Sequence, residues 1–293
     1  MKVVLEAGGS SPWVSRLIES MGHDVVVCAP RRVRLIAEST MKTDEIDAEV
    51  LARLVRVDEG FLGRVTHRSE SALLQRGLMT ARTALVNARS KWVHSARGIL
   101  RSFGFRVPGG STSLFHTRCA KVDMPDDLRD VVQPLLNQIE RVSDEIQALE
   151  ERLENIAATN PVVKHLQSVP GVGTIVSMYF VAAIDDPDRF QRSRDVAAFF
   201  GLRPILRGSG EICHHGRISK EGDPEMRRLL IQAAHGMINS RKSCALQQWA
   251  LKLADKKGKR KALVALARKL AVLLHHLWVT GEVFQSFPKQ QNA

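Results

Sequence analysis

Residues 2–30 read KVVLEAGGSSPWVSRLIESMGHDVVVCAP, and the fold follows from how that stretch is divided. The β-branched run 2–6 predicts a strand that ends on an acid, Glu6. Ser11 and Pro12 predict the N-cap and first position of a helix over 11–21. A Ser side chain accepts from an orphan amide there, and the missing Pro N–H costs nothing. Gly22 closes the helix, and 23–30 forms a second, buried strand stopped by Pro30. Strand, helix and strand in so short a span predict a parallel pair within an α/β domain.

The chain has 293 residues, 44% of them hydrophobic, which is enough for two domains and a sizeable core. Its formal net charge of +12 points to a polyanionic partner, with nucleic acid ahead of a membrane surface. No apolar run approaches the roughly 20 residues that span a bilayer, and the first residues lack the pattern of a signal peptide. The four cysteines, Cys28, Cys119, Cys213 and Cys244, form no CxxC pair and read as reduced thiols. Cys213, His214 and His215 are consecutive and have no second ligand pair nearby, so zinc is a poor reading.

Three regions follow: an α/β domain over 1–65, a basic helix and coiled-coil region over 66–158, and a mainly helical domain over 159–293. In the first, Thr43 predicts the cap of a helix carrying Asp44 and Asp47. In the second, 69–103 is helical and basic, with Arg89 and Arg97 among its cations. Leu128, Val132, Leu135, Ile139, Val142, Ile146, Leu149, Leu153 and Ile156 then alternate by four and three, a heptad seam. Pro134 lies inside it and is expected to delay the helix start by a turn. The seam needs a partner, either 69–103 or a second copy. In the third region, 165–184 reads as helix, Gly turn, helix, and 203–222 as an extended loop or hairpin.

Four constellations carry chemistry. Asp44 and Asp47, three apart on a helix, face one side with Glu6 at a strand end, and such oxygen-rich clusters suit Mg2+ or Mn2+. The bland alternative is a helix cap and a solvated acid. Gly171 and Gly173 in SVPGVGTI let backbone amides approach a phosphate, as in a helix-hairpin-helix, or simply form a helix–helix turn. Ser209 sits between two glycines beside Arg207, with His214, His215, Arg217 and Lys220 following. A nucleophile toward a phosphodiester and an exposed turn serine both fit that setting. The seven Lys and Arg residues between Lys256 and Lys269 either hold phosphates or form a solvated helix face.

Together VVLEAGG, KTDEIDAEVLARL, SVPGVGTIVSMYFVAAIDDPDRFQRSRDVAAFFGLRP and GRISKEGDPEMRRLLIQAA resemble the insertion-sequence transposases of the one-ten family. The likeness runs over nearly the whole chain. It implies a RuvC-like (RNase H-like) α/β domain with an Asp-Glu-Asp-Asp set, a coiled-coil linker, and a C-terminal transposase domain with a helix-hairpin-helix. By that resemblance Glu6 is the family's Glu, Asp44 and Asp47 its closing Asp pair, and Ser209 the serine that attacks DNA. It also implies a magnesium or manganese ion, DNA as donor and target, a structured guide RNA, and homo-oligomers built through the coiled coil. The setting would be bacterial cytoplasm, with the nucleoid. Gly171, Gly173, Arg207, Arg217, Lys220, Arg89 and Arg97 are the expected nucleic-acid contacts.

The family's first Asp lies on a strand upstream of the Glu, whereas this chain begins at the Glu strand. The expectation is therefore an incomplete RuvC-like domain and weak strand transfer, recovered by restoring upstream codons. Glu211, Glu221 and Glu225 place acid where the family pattern is neutral or basic, and are expected to weaken phosphate binding. Two rivals stand beside this reading. One is a non-catalytic DNA- or RNA-binding remnant, which a Ser209→Ala variant separates. The other is a resolvase-like nuclease using the carboxylates alone, which Asp44→Asn would silence.

Overall fold

The computed structural model describes residues 1–30, 32, 43–209 and 212–287, and leaves aside the side chains of 44, 61, 206–209 and 212–215. The chain is mostly helical with few strands, and divides into two compact units, Met1–Glu70 and Ser71–Ala293.

The first unit is built on the predicted strand-helix-strand. β1 (Lys2–Glu6) and β2 (Asp24–Cys28) pair in parallel, from Lys2 opposite Asp24 to Glu6 opposite Cys28. α1 (Ser11–Ser20) connects them. Its N-cap is Ser10 rather than Ser11, because the Ser11 hydroxyl is turned back onto Gly8, donating to its carbonyl at 2.9 Å and accepting from its amide at 3.0 Å. The far edge of β2 is covered by the chain at Arg64 and Val65, whose amide donates to the Val27 carbonyl at 2.8 Å. α2 (Asp44–Val57) begins at Thr43, whose hydroxyl accepts from the Ile46 amide at 3.3 Å as the sequence predicts. Leu51 of α2 and Leu62 of α3 (Glu59–Leu62) close a small core over Val26 and Cys28.

The second unit has two cores. α4 (Glu70–Ser102) and α6 (Asp126–Thr159) form a long helical arm with α5 (Phe115–Ala120) near its end. Val93, Ala96 and Leu100 of α4 pack with Phe115 of α5 and with Leu128, Val132, Leu136 and Ile139 of α6. The partner of the seam is thus within the same chain. Leu136, not Leu135, is its buried member there, because the 3.6-residue period drifts off a strict heptad. α6 also begins at Asp126 and runs straight through Pro134, contrary to the expected delay. Pro134 lies on the exposed side, where water can take the freed carbonyl. Burial of Leu128 and Val132 on the other side, about 1.5–3 kcal/mol for each side chain, offsets the lost hydrogen bond.

The second core surrounds α12 (Lys259–Thr280), packed by α9 (Ser193–Phe199), α10 (Pro224–Ile238) and α11 (Ala245–Lys257). α12 is the one described helix long and apolar enough to cross a membrane. Its Leu266, Leu270, Leu274 and Leu277 are instead buried among these neighbours, and the helix starts on the cations Lys259, Arg260 and Lys261. α7 (Pro161–Leu166) and α8 (Thr174–Ile184) are joined by the predicted glycine turn. β3 (Pro204–Ser209) and β4 (Ile212–Ile218) form an antiparallel hairpin within the segment expected to be extended. Cys28, Cys119 and Cys244 are buried free thiols.

Candidate functional site

In the first unit, Glu6 ends β1 and Asp47 lies on the face of α2 that packs toward that strand. Asp47, Leu51 and Val55 recur every four residues, so burial of Leu51 turns Asp47 the same way. Glu6 and Asp47 accordingly line one groove of about 940 Å³, with Lys2 and Arg56 at its margins. Lys2 is taken up by Glu59 and, at 3.7 Å, by Asp24. Burial pushes the Cys28 thiol up, and the negative charge of neighbouring Glu6 adds to that. Two carboxylates, Glu6 and Asp47, thus line the groove, oxygen donors of the kind a hard divalent cation takes. Asp44 opens α2 one turn before Asp47, and its side chain lies outside the described residues. Among the described residues no three acids, histidines or cysteines cluster closely enough to hold a metal ion.

In the second unit the hairpin is the conspicuous device. Ser209 is the last residue of β3 and pairs with Ile212, so it stands at the end away from the base. The base is locked by backbone contacts that only glycine permits. Gly201 has φ +68°, and a Cβ there would lie 1.9 Å from the Glu221 carbonyl oxygen. Gly222 has φ +89°, and its Cβ would lie 2.0 Å from the Phe199 carbonyl oxygen. The Lys220 amide donates to the Gly201 carbonyl at 3.1 Å, and the Ser219 amide to that of Arg203 at 2.9 Å. Arg227 donates to the carbonyls of Phe200 and Glu221 at 3.1 and 3.2 Å. FFGLRP and KEGDP are thus two halves of one clasp.

Below the clasp, Asp223 caps α10, accepting from the amides of Glu225 and Met226 at 2.9 and 3.1 Å. It also pairs with Arg76 of α4 at 2.7 Å and accepts the Tyr179 hydroxyl at 3.1 Å. Arg76 stacks on the Tyr179 ring, 5.1 Å from its centre. Burial raises the Asp223 carboxyl, but the Met226 amide and Arg76 outweigh it and hold the pKa below the ordinary value. Burial, together with the Asp223 charge, pushes Tyr179 up to about 12. Glu225 is engaged by Arg228 and by the Thr83 hydroxyl at 3.1 Å, so its charge is spent inside the fold.

Gly171 has φ +85°, and a Cβ on it would lie 2.3 Å from the Ala233 carbonyl of α10, so the glycine turn is packed onto that helix. Gly173 is exposed, caps α8, and has no atom within 4 Å of a Cβ position. Arg89 and Arg97 both have partners within the arm. Arg89 donates to Ser143 at 3.3 Å, and burial lowers its pKa; Arg97 stacks over Phe115 at 5.2 Å. The side chains of Arg207 and Ser209 lie outside the described residues, as do those of Cys213, His214 and His215, and Glu211 altogether. Arg217 and Lys220 are exposed, and line a groove of about 2150 Å³ with the cations of α11 and α12.

The sequence alone does not reveal the network of Arg76, Tyr179 and Asp223, whose members lie on three distant segments. A partial signal was present: Asp223-Pro224 is the start signal of a helix.

Comparison with known proteins finds matches in both units of the chain. Residues 1–105 match the DEDD domain profile of the IS110-type transposases, and residues 163–250 match the profile described as Transposase IS116/IS110/IS902 family. The transposase for insertion sequence element IS1111A of Coxiella burnetii is 28% identical over 292 residues, covering 97% of this chain and 79% of that protein. The transposase for IS1328 of Yersinia enterocolitica is 28% identical over 288 residues, covering 96% and 85%. A pilin gene-inverting protein of Moraxella bovis is 27% identical over 284 residues, covering 93% and 78%. These domains, in this order, define a DNA transposase of the insertion-sequence class, an enzyme of DNA recombination that goes with a divalent metal. Residues 1–105 and 163–250 are thus transposase domains of the IS110/IS116/IS902 family.

Proposed function

We propose that this transposase cuts and rejoins DNA strands through Ser209, assisted by a magnesium or manganese ion held by Glu6, Asp44 and Asp47. The observation that carries the reading is the clasped hairpin, which ends β3 on Ser209 within the region matching the transposase profile. The Ser209 Oγ forms a bond to the scissile phosphorus, the bond from phosphorus to the departing deoxyribose oxygen breaks, and that oxygen takes up a proton. The serine proton passes to a base. Reversal with a second strand's hydroxyl rejoins the DNA and frees the serine. A divalent ion, when bound, stabilises charge growing on the phosphate oxygens. Glu6 at the strand end and Asp47 on the helix face, with Asp44 one turn away, would hold such an ion.

In this reading the first unit is a RuvC-like domain over about 1–65, the arm over 66–158 is a coiled-coil region, and 159–293 is the transposase domain with a helix-hairpin-helix. Gly173 at the start of α8 leaves helix amides open to a phosphate, beside Gly171, while Arg207, Arg217 and Lys220 supply charge along the hairpin. Arg97 carries the basic character of the arm toward a structured guide RNA, whereas Arg89 is held by Ser143. Homo-oligomers form through the outer surface of the arm, where Phe103, Leu114 and Val131 are exposed, because its seam is already filled by α4. The protein works in the cytoplasm at the nucleoid.

The test is a strand-exchange assay on donor and target DNA with the element's own RNA and Mg2+. Ser209→Ala, Glu6→Gln and Asp47→Asn should each lower product by about a hundredfold or more while the chain still binds DNA. Unchanged product from Ser209→Ala would leave a binding or purely carboxylate-based protein.

A further inference from the structure

The large groove of the second unit has a lining that the chemistry at Ser209 leaves unexplained. Arg217 and Lys220 approach it from the hairpin base, and Lys257, Arg260, Lys261 and Arg268 from α11 and α12. All six are exposed, and among the described residues none forms an ion pair. The one acid on the lining, Glu282, faces His276 at 3.2 Å. Between the cations the floor is apolar: Trp249, Leu253, Val264 and Leu273 are half-buried, with Lys269 resting 4.5 Å from the Trp249 ring centre.

We infer that this groove seats an unpaired DNA strand, with its phosphates on the cationic rim and its bases on the Trp249 floor. A duplex hides its base faces and meets a protein with sugar and phosphate, so it would leave the apolar floor wet. A single strand covers both surfaces, and stacking on an aromatic ring with cations nearby is the general chemistry of such seats. From Arg260 to His276 the helix rises roughly 24 Å, the length of about seven nucleotides at B-form spacing. Pro204 borders the groove and Ser209 stands five residues along β3, about 17 Å away. The strand in the groove is therefore the flank of the strand that reaches Ser209. This step rests on the reading of Ser209 as the nucleophile.

The experiment measures binding of the full chain to a dye-labelled oligonucleotide of about twelve nucleotides, within the usual site size of such grooves. Single-stranded DNA, the matching duplex and the matching single-stranded RNA are compared across a salt series. Single-stranded DNA should bind tightest. The quadruple variant Lys257→Gln, Arg260→Gln, Lys261→Gln, Arg268→Gln should weaken it at least tenfold and reduce the salt slope by about 3. Trp249→Leu should weaken single-stranded DNA about tenfold and spare the duplex, with circular dichroism melts confirming both variants fold. Ser209→Ala should bind as the parent does, which separates this inference from the nucleophile reading. Undiminished binding by the quadruple variant overturns the inference. So does preference for RNA or duplex, or an acidic peptide that competes better than single-stranded DNA.

Discussion

Two amides, a guanidinium and a phenol meet on Asp223. Its pKa is held below the ordinary value, so its contribution to stability is complete above about pH 4 and is lost as pH falls through the lower folded value. Asp223→Asn should cost about 3 kcal/mol in urea unfolding of the full chain, because it leaves Arg76 partly buried without its countercharge. Tyr179 offers an independent check, since it is the single tyrosine of the chain. Its raised value means the neutral phenol is favoured in the fold. That stability is present below pH 10 and lost as pH rises through about 12. Ultraviolet titration should place the native phenol near 12, and Asp223→Asn should lower that midpoint because the adjacent negative charge is gone. The glycines divide as sharply. Gly201→Ala and Gly222→Ala should abolish soluble folded chain, whereas Gly173→Ala should shift the melting temperature little.

At the scale of elements, the arm and the hairpin behave oppositely in the sequence. The arm's spacing is plain, because apolar side chains at three and four leave one stripe to bury, and α6 buries that stripe against α4. Ile139→Ala should therefore cost about 2–5 kcal/mol, while Pro134→Ala should stabilise α6 by up to about 3 kcal/mol, both read from chemical unfolding. Pro134 misleads because its penalty is local, whereas the seam that overrides it is gathered over many turns. The first unit was also legible, since KVVLE and DVVVC with a capped helix between them admit one parallel pairing. The hairpin base was not. Gly201 and Gly222 look like ordinary turn glycines until the chain returns and presses two backbones together. Glu225 reads as a charge opposed to phosphate for the same reason: Thr83, its hydrogen-bond partner, is far away in sequence. Of the candidate site, Glu6 and Asp47 were legible as a strand tip and a helix face, and the groove that gathers them is seen only in three dimensions.

At the scale of the whole molecule, the net charge of +12 is not spread evenly. The basic run from Lys256 to Lys269 gives five of its seven cations to one groove, whereas Arg76, Arg82 and Arg89 of α4 are spent on partners inside the second unit. Charge alone foretold a polyanionic partner, while only the fold separates surface cations from structural ones. On our proposal, what makes the chain an enzyme rather than a holder of nucleic acid is the serine at the end of the clasped hairpin. The direct measurement is to incubate the chain with the proposed guide RNA, Mg2+ and a nicked DNA substrate that cannot religate. Protein–DNA adducts are then resolved on a denaturing gel and the attached peptide is identified by mass spectrometry. The predicted result is a nucleotide joined to Ser209, lost in Ser209→Ala and sharply reduced in Glu6→Gln. An adduct that persists in Ser209→Ala, or cleavage by the parent chain with no adduct at all, would contradict it.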